Sequence, residues 1–574
     1  MERRVLLAIF LSFLVLWGYQ ALLPKPAPKP PAANVAGPKA PIVPGAPQAA
    51  ANPTVPGPET APSAATLLGA QAERDIRVET RDVVAVFTNR GARLKSWRLK
   101  HFLDQKREPL ELVADELADR QPLPFSLRVN DDRVTATLNS ALYAVNAVPS
   151  ADASQAGPSD LRFEYRDSAG VQVVKDFHFE PTSYLVTFRT VVTVGDRALT
   201  PIVQWGPAVG DVTTEVSRFT TKAEGIVSAA GKIQRLSPKD IAKQATYEND
   251  FQYAGVDDQY FLTAVIFPGP SRISYQPVSI PPPSDSKDAP RDLVAYSIEP
   301  SRPDAPLKFF AGPKDFDVLY SIDHDFVRAI NFGMFAFLVV PLLRSLKWIN
   351  AFVGNYGWSI IILTVIINAI MFPLRHKSVV SMRKMQEIQP QVKAIQDRYA
   401  KFKATDPAKQ KMNQELMALY KERGVNPASG CVPMLLTMPV LFAFYALLST
   451  AIELRGAPFV FWIHDLSLHD PLYITPVLMG ISQLWQQRIT PAVGADPAQQ
   501  KTMMLMPVVF TFMFLWAPAG VAIYWLMANL WGIGQQYLTN YLIGPPKVHN
   551  VRPPAERQIK RVGGGKTDAA ARET

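Results

Sequence analysis

The polar side chains inside the long uncharged, apolar stretches of this 574-residue chain are hydroxyls and carboxamides. They include Thr364, Asn368, Gln483, Gln486, Asn529, Gln535 and Gln536. On an apolar background, such groups either hydrogen-bond between neighbouring membrane helices or line a partly hydrated groove in which a polar segment exchanges water for protein. Their spacing alone does not separate these two roles.

Residues typical of enzyme chemistry do not form recognisable patterns elsewhere. Residues 66–325 contain no metal-ligand spacing, no nucleophile elbow and no glycine-rich phosphate loop. The histidines His101, His178 and His324 are scattered without paired ligands, so we expect them at the surface. The single cysteine, Cys431, excludes an intrachain disulfide. The sequence therefore gives no indication of a catalytic centre, a metal or a cofactor.

The N-terminal region predicts an anchor followed by a spacer. Three charged residues precede an uncharged run over residues 5–23, and these 19 residues are enough to cross a bilayer as a helix. The run exceeds a usual signal core and lacks a small-residue cleavage site directly after it, which favours an uncleaved signal anchor over a cleaved signal peptide. Residues 24–65 form a Pro/Ala-rich linker, with 13 prolines between Pro24 and Pro62.

Residues 66–325 alternate polar and apolar side chains with a period of two. Tyr184, Val186, Phe188 and Thr190 are predicted to share one face of a strand, with the intervening residues on the other. Residues 76–80 and 83–88 follow the same pattern, and the second run ends at an Asn89-Arg90-Gly91 turn. We expect an all-β domain, most simply a large antiparallel sandwich.

The remainder of the chain predicts membrane helices. The run 332–343 is apolar for only 12 residues before Arg344 and Lys347, so residues 326–355 are expected to form an amphipathic helix at the interface. Within the helical core, residues 356–543, five longer apolar runs follow without Asp, Glu, Lys, Arg or His: 356–374, 431–452, 472–487, 503–517 and 519–543. With residues 5–23 they make six transmembrane helices, so the fold class is a multi-domain membrane protein with an all-α polytopic core and an all-β domain.

Charge orients these helices. Residues 375–424 hold 12 Lys and Arg against five Asp and Glu, and the tail 544–574 is also basic. The positive-inside rule places both in the cytoplasm, together with the two termini, and exports the β domain. The same rule explains the net charge of +10, so no direct nucleic-acid substrate is expected.

The basic loop predicts a cytoplasmic helical hairpin. Apolar residues recur three and four positions apart and form a narrow seam. The seam residues are Met385, Ile388, Val392, Ile395, Tyr399 and Phe402 in the first helix and Met412, Leu416 and Leu419 in the second. Asp406 and Pro407 are expected to start the second helix as its cap and first residue, while Pro390 starts or kinks the first. A loop of this length favours a docking element over a simple connector.

Three long segments resemble the YidC family of membrane protein insertases. They are residues 418–439 (ALYKERGVNPASGCVPMLLTMP), 453–471 (ELRGAPFVFWIHDLSLHDP) and 517–536 (APAGVAIYWLMANLWGIGQQ). The order of anchor, linker, β domain and five-helix core is similar to that of the Gram-negative members. The resemblance implies an inner-membrane insertase that works alone or beside the Sec translocon and its accessory subunits. It also implies that the exported domain is a periplasmic β-super-sandwich related to sugar-binding folds.

The family's groove opens to the cytoplasm and to lipid, and a nascent membrane protein's hydrophobic segment slides along it into the bilayer. By resemblance, the groove residues are Thr364, Asn368, Arg375, Met438, Pro439, Met513, Tyr524 and Trp525. The hairpin and the tail are similar to elements that meet the Sec machinery and the ribosome. The tail residues expected at the ribosome are Lys547, Arg552, Arg557, Lys560 and Arg561.

One position departs from the family. Where members place a positive charge in the groove, this chain has Asn368, and Arg375 follows seven residues later. Seven residues are two helical turns, roughly 10 Å, and keep both side chains on about the same face. Pro373 lies between them and, as a helix breaker, opposes that alignment.

Two other classes of function compete with an insertase. A membrane-anchored carbohydrate-binding protein or enzyme predicts an aromatic-lined cleft with paired carboxylates in the β domain, and five further spans exceed what an anchor needs. A channel or transporter usually needs ionisable groups at membrane depth and internal repeats, and the predicted spans show neither.

Overall fold

The computed structural model describes residues 64–104, 107–113, 121–149, 158–207, 222–280, 291–402, 406–425, 432–489 and 497–543. The predicted signal anchor, the linker up to residue 63 and the basic tail lie outside the described residues. Within the described residues, a large β-sheet domain precedes a helical region, as the sequence predicts.

The β domain is built from eighteen described strands and three short helices. The strands are β1 Thr66–Leu68, β2 Asp75–Glu79, β3 Val83–Thr88, β4 Arg93–Leu103, β5 Pro109–Glu111, β6 Ser126–Arg128, β7 Ala144–Pro149, β8 Pro158–Asp167, β9 Val171–Phe179, β10 Leu185–Val194, β11 Arg197–Leu199, β12 Ile202–Trp205, β13 Glu224–Ala229, β14 Lys232–Leu236, β15 Thr246–Asp257, β16 Phe261–Ile280, β17 Arg291–Pro300 and β18 Leu307–Pro313. The helices are α1 Asp132–Ser140, α2 Pro238–Lys243 and α3 Phe316–Ile322.

The strands form two antiparallel sheets that share one core. One sheet has 14 strands with the main order β1-β8-β9-β10-β18-β16-β15-β13-β14, and the other has four in the order β2-β3-β4-β5. In β10, Val186 and Phe188 are buried while Arg189 is exposed, which confirms the predicted alternation. The rings of Phe87 and Phe177 lie 4.8 Å apart between centroids, so the apolar faces of the two sheets pack on one another.

A buried lysine forms hydrogen bonds to the turn after β3 and holds it against the core. Gly91 has a φ of +70°, and a Cβ atom there would lie 2.5 Å from the carbonyl oxygen of Asn139, so only glycine fits. The Nζ of fully buried Lys175 donates to the carbonyl oxygens of Gly91 at 2.7 Å, Ala92 at 3.2 Å and Phe125 at 2.8 Å. All three ammonium donors are thereby satisfied within the domain.

Eight longer helices make up the described helical region. They are α4 Ala336–Val353, α5 Tyr356–Glu387, α6 Gln389–Arg398, α7 Pro407–Glu422, α8 Val432–Thr450, α9 Ile474–Ile489, α10 Pro497–Phe514 and α11 Ala519–Ile543. Single 3₁₀ turns occur at Phe326–Ala329, Gly333–Phe335 and Ile452–Leu454. Helices α5 and α8–α11 cover the five apolar runs of the sequence.

Two stretches of the described chain are long and apolar enough to cross a membrane, Gly333–Val353 and Tyr356–Glu387. The first of these coincides with the predicted interfacial helix. Its Lys347 is paired with Asp317 of the β domain at 2.5 Å and with Glu453 at 3.2 Å. Length and composition do not distinguish a span from an interfacial helix, so the interfacial position of α4 stays a prediction.

Helix α5 continues through Pro373 without interruption and carries both the predicted second span and the start of the hairpin. Helix α6 extends this first arm, with Pro390 at its N-terminus, and α7 forms the second arm. Asp406 caps α7 by accepting from the backbone N–H of Ala408 at 2.8 Å, and Pro407 is the first helical residue, as predicted.

Six of the nine predicted seam residues lie together between the hairpin arms. Tyr399 and Met412 pack against them, whereas Phe402 is 43% exposed. Met385, Ile388, Val392, Ile395, Leu416 and Leu419 form one buried cluster with Val425. At the edge of this cluster, the Tyr399 hydroxyl donates to Glu415 at 2.8 Å, and Arg398 pairs with the same carboxylate at 3.2 Å. The arms therefore pack along the predicted seam, with charged residues outside it.

Candidate functional site

A cavity of about 330 Å³ lies among the helices of the membrane region. Its walls come from α5, α8, α9 and α11, and α11 packs against each of the other three. The polar lining residues are Asn368, Arg375, Ser378, Thr437, Gln486, Asn529, Gln535 and Gln536. The other lining residues include aliphatic side chains of α5 and α8 and the rings of Phe444, Tyr524 and Trp525. The cavity therefore offers hydrogen-bonding groups on an otherwise apolar surface.

Arg375 and Asn368 meet within this cavity. Because α5 runs unbroken through Pro373, the two residues stay on one face of the helix. The Arg375 Nη1 donates to the Asn368 Oδ1 at 2.8 Å, and the Asn368 Nδ2 donates to the carbonyl oxygen of Thr364 at 2.7 Å. The guanidinium thus lies beside position 368 itself, although the Cα of Arg375 is seven residues further along α5.

Four of the eight groove residues predicted by resemblance line the cavity: Asn368, Arg375, Tyr524 and Trp525. Tyr524 stacks on Phe444 with ring centroids 4.3 Å apart and an interplanar angle of 9°. Trp525 packs edge-on against Phe514 at 4.9 Å. The two rings are therefore fixed in the wall by neighbouring aromatic side chains.

The other four predicted residues lie elsewhere. Thr364 is fully buried one turn below Asn368, and its hydroxyl donates to the carbonyl oxygen of Ile360 at 2.6 Å. Met438 and Pro439 are outside the lining, because Thr437, Val440 and Leu441 present the cavity-facing side of α8. Met513 is 45% exposed on the outer surface of α10. The cavity lining therefore includes half of the residues predicted by resemblance, and whether the other four contact a client stays a prediction.

Asn529 and Gln536, two carboxamides in the apolar runs, form hydrogen bonds among the helices and also line the cavity. The Asn529 Nδ2 donates to the Ser482 Oγ at 3.1 Å and to the carbonyl oxygen of Met479 at 3.2 Å, which joins α11 to α9. The Gln536 Nε2 donates to Asn540 Oδ1 at 3.1 Å within α11. Both residues also line the cavity. Their occurrence in apolar runs was the available sequence signal for this wall.

The far end of the helices is held by the loop between α8 and α9. The N–H groups of Ala519 and Gly520, at the start of α11, donate to the carbonyl oxygens of Leu468 at 2.7 Å and Leu466 at 2.9 Å. Asp470 of the same loop is buried and accepts from the backbone and hydroxyl of Thr475 at 2.7 and 2.8 Å. The carbonyl oxygens of Leu466 and Leu468 thus accept from two backbone N–H groups in the first turn of α11, which have no partner within the helix.

The same end of the helical region contacts the β domain. The Gln259 Nε2 donates to the carbonyl oxygen of Ser449 at 2.5 Å, and the Arg455 guanidinium lies 5.0 Å from the centre of the Phe261 ring. Burial raises the pKa of the Glu453 carboxyl, and the nearby Lys347 ammonium opposes that shift. These contacts join the β domain to α8 and to the loop that follows it.

The β domain also has a larger cavity, of about 690 Å³, on the outer face of its main sheet. Asp160, Asp176 and Asp304 line it, and Asp160 lies 2.8 Å from the Nδ1 of His178. Phe177 is the aromatic residue in the described lining, and its ring is buried in the core. The carboxylates expected for a carbohydrate site are present, whereas an exposed aromatic platform is missing from the described part of this cavity.

Comparisons with known proteins cover nearly the whole chain. Two family models match, "60Kd inner membrane protein" over residues 348–545 and "YidC periplasmic domain" over residues 75–345. A "Membrane protein insertase YidC" of Geobacter metallireducens is 36% identical over 557 residues, covering 94% of this chain and 98% of the relative. The protein of the same name from Syntrophus aciditrophicus is 35% identical over 572 residues, covering 94% and 99%.

A crystal structure described as "Active YidC insertase crystal structure with the first transmembrane domain resolved" also matches. Its sequence is 19% identical, and the match covers 83% of this chain and 95% of the crystallised chain. Its TM-score of 0.33 is too low to support an inference about how the helices are arranged.

Proposed function

This chain belongs to the YidC family of membrane protein insertases, and we propose that the cavity among α5, α8, α9 and α11 is the groove through which it moves its clients. It is an inner-membrane protein with a periplasmic domain, its clients are newly made membrane proteins, and its action is not enzymatic. The observation that carries the proposal for the groove is the hydrogen bond from Arg375 to Asn368 inside that cavity.

We further propose six membrane spans, formed by residues 5–23, the first half of α5, and α8 to α11. Exposed apolar side chains on α5 and α10 support a lipid contact, among them Ile370, Val509 and Phe512. Helix α4 then lies at the periplasmic interface, since Lys347 pairs with carboxylates of the β domain and of the periplasmic loop. This topology puts the Arg375 end of the groove toward the cytoplasm.

Insertion follows from a groove with two kinds of surface. A client's hydrophobic segment lies against the apolar helices and passes into lipid, where it gains the free energy of leaving water. Its short polar flank meanwhile needs hydrogen-bonding partners, because unpaired polar groups in hydrocarbon each cost several kcal/mol. The cavity's carboxamides and the Arg375 guanidinium supply such partners while the flank crosses.

Arg375 supplies the positive charge that the family places at position 368. A fixed cation at the bilayer centre costs about 2.5–3.5 kcal/mol on insertion scales. Arg375 is attached at the end of the proposed second span, two helical turns nearer the cytoplasm, and its side chain reaches back to Asn368 in a cavity lined by other polar groups. Hydrogen-bonding partners in that cavity offset part of the cost. The Arg375 guanidinium then attracts the acidic flank of a client, and Asn368 orients the guanidinium.

The test compares two single-span clients that differ only in their flank, one acidic and one neutral. Arg375→Ala should slow the acidic client about tenfold relative to the neutral one, since hydrogen bonds to charged groups are worth about 1.5–3 kcal/mol. Asn368→Arg should partly restore the acidic client in the Arg375→Ala background. Arg488→Ala, an exposed arginine at the end of α9 outside the cavity lining, is the control. Equal insertion rates for both clients in Arg375→Ala would contradict the assignment.

The partners proposed on the cytoplasmic side are the ribosome and the Sec translocon. The closed seam of the hairpin leaves its charged surface outward, and the five basic tail residues named above follow α11. Basic tails bind RNA phosphates through release of counterions, so neutralising those five residues should lower ribosome binding and its dependence on salt. Unchanged cosedimentation across a salt series would show that the tail is passive.

A further inference from the structure

Gly532 occupies a place in the cavity wall where the neighbouring helix comes very close. It lies in α11, between the lining residues Asn529 and Gln536. A Cβ atom at this position would lie 2.2 Å from the Nε2 of Gln486 on α9 and 3.1 Å from its Cδ. The Gln486 carboxamide therefore fills the space that the absent side chain leaves.

Helix formation does not account for a glycine at this position. Glycine is unfavourable within a helix, so a retained one usually has a packing or functional reason. Gly534 belongs to the same helix, yet no atom lies within 4 Å of its Cβ position. The close approach is thus specific to position 532, and the atoms that approach belong to the mobile end of a side chain.

Gln486 differs chemically from Arg375, the cation that α5 contributes to the cavity lining. An arginine offers only donors, whereas a carboxamide offers both a donor and an acceptor. The backbone N–H groups of a client flank need acceptors, whatever side chains the flank carries. Both residues line the same cavity, so one groove presents a charge-selective wall and a neutral wall.

We propose that Gln486, admitted to the groove by Gly532, binds the neutral polar flank of a client and determines how well clients without acidic residues are inserted. This rests on the proposed function of the cavity as the insertase groove. Acidic clients use mainly Arg375, and neutral clients use mainly Gln486.

The experiment measures the insertion rate of the neutral-flank client in cells that carry the full-length protein. Gly532→Ala displaces the carboxamide, and Gln486→Leu removes it, so each should slow this client about three- to tenfold, the range expected for one neutral hydrogen bond. Gly534→Ala adds the same methyl group to open space and should insert at the wild-type rate. The double variant Gly532→Ala with Gln486→Leu should be no slower than either single one, because both remove the same contact.

The acidic-flank client separates this proposal from the one it rests on. It should keep its dependence on Arg375 in every Gly532 and Gln486 variant. Equal rates for Gly532→Ala and Gly534→Ala, or a wild-type rate for Gln486→Leu, would overturn the role of Gln486 and leave the groove itself standing. If Gly532→Ala does not accumulate in the membrane, Gln486→Leu and Gln486→Asn decide the matter, because they leave the glycine in place. A normal rate in both would overturn the proposal.

Discussion

Lys175 in the β domain and Arg375 in the helical region are both cations held away from bulk water, but their surroundings differ. Three backbone carbonyl oxygens accept from Lys175, and its 2.7–3.2 Å contacts use every donor it has. Arg375 has Asn368 as its hydrogen-bond partner among the described residues and faces a cavity of about 330 Å³. A buried cation with all donors used supports a fold, whereas one with donors to spare beside a cavity is available to a ligand.

The largest effect expected from this contrast is on the stability of the β domain. Lys175→Met keeps the volume but leaves three buried carbonyl oxygens without a donor, which should cost about 3 kcal/mol or more. Proteolysis of the periplasmic domain in the full-length protein should therefore be faster, and its thermal midpoint lower. Lys308→Met, at an exposed position of β18, is the control. If both variants resist protease equally, the hydrogen bonds of Lys175 do not stabilise the β domain.

Asp470, in the loop between α8 and α9, is a buried anion whose hydrogen bonds likewise support the fold. Its carboxylate accepts from Leu472, Trp462 and both donors of Thr475 at 2.7–2.9 Å. At neutral pH, Asp470→Ala should lower the free energy of unfolding by about 2 kcal/mol, by analogy with the strongest helix caps. The thermal midpoint measured in detergent should fall accordingly. His464→Ala, an exposed change in the same loop, should have little effect.

The effect of Asp470→Ala should also depend on pH. Burial alone would raise the pKa of Asp470, but the donors from Thr475, Leu472 and Trp462 outweigh it and hold the pKa below the ordinary value of 3.8. A carboxyl whose pKa is lower in the folded state stabilises the fold above its unfolded pKa, and loses that contribution as the pH falls through the folded value. The difference in the free energy of unfolding between wild type and Asp470→Ala should therefore shrink below pH 3.8. A difference that does not change with pH would show that the carboxylate charge is unimportant.

The smallest expected effect is on insertion when the β domain is removed. A deletion of residues 66–325 that keeps everything else should leave the insertion rate within about twofold, because every residue that lines the cavity belongs to the helical region. The Lys347–Glu453 pair at 3.2 Å survives such a deletion, since both residues lie outside it. Insertion lost from a stably accumulated truncated protein would mean that the domain acts on the groove.

Local patterns in the sequence were sufficient for the order of the domains and for several individual elements. Alternation marked β10, the narrow seam marked the hairpin, and Asp406 with Pro407 marked the start of α7. Each of these features depends on residues within a few positions of one another, so the period of the pattern carries the information. Seven-residue spacing on one helix likewise placed Arg375 and Asn368 on a common face.

The cavity itself was decided by tertiary structure. Met438 and Pro439 belong to α8 but lie outside the cavity lining, and nothing in the sequence distinguished Gln486 from the other carboxamides. Which residues line a cavity depends on the rotation of each helix about its axis, and that rotation is set by contacts with other helices. Gly532 matters because α9 brings the Nε2 of Gln486 to within 2.2 Å of the position that a Cβ atom at residue 532 would take. No local pattern in the sequence encodes such a distance between two helices.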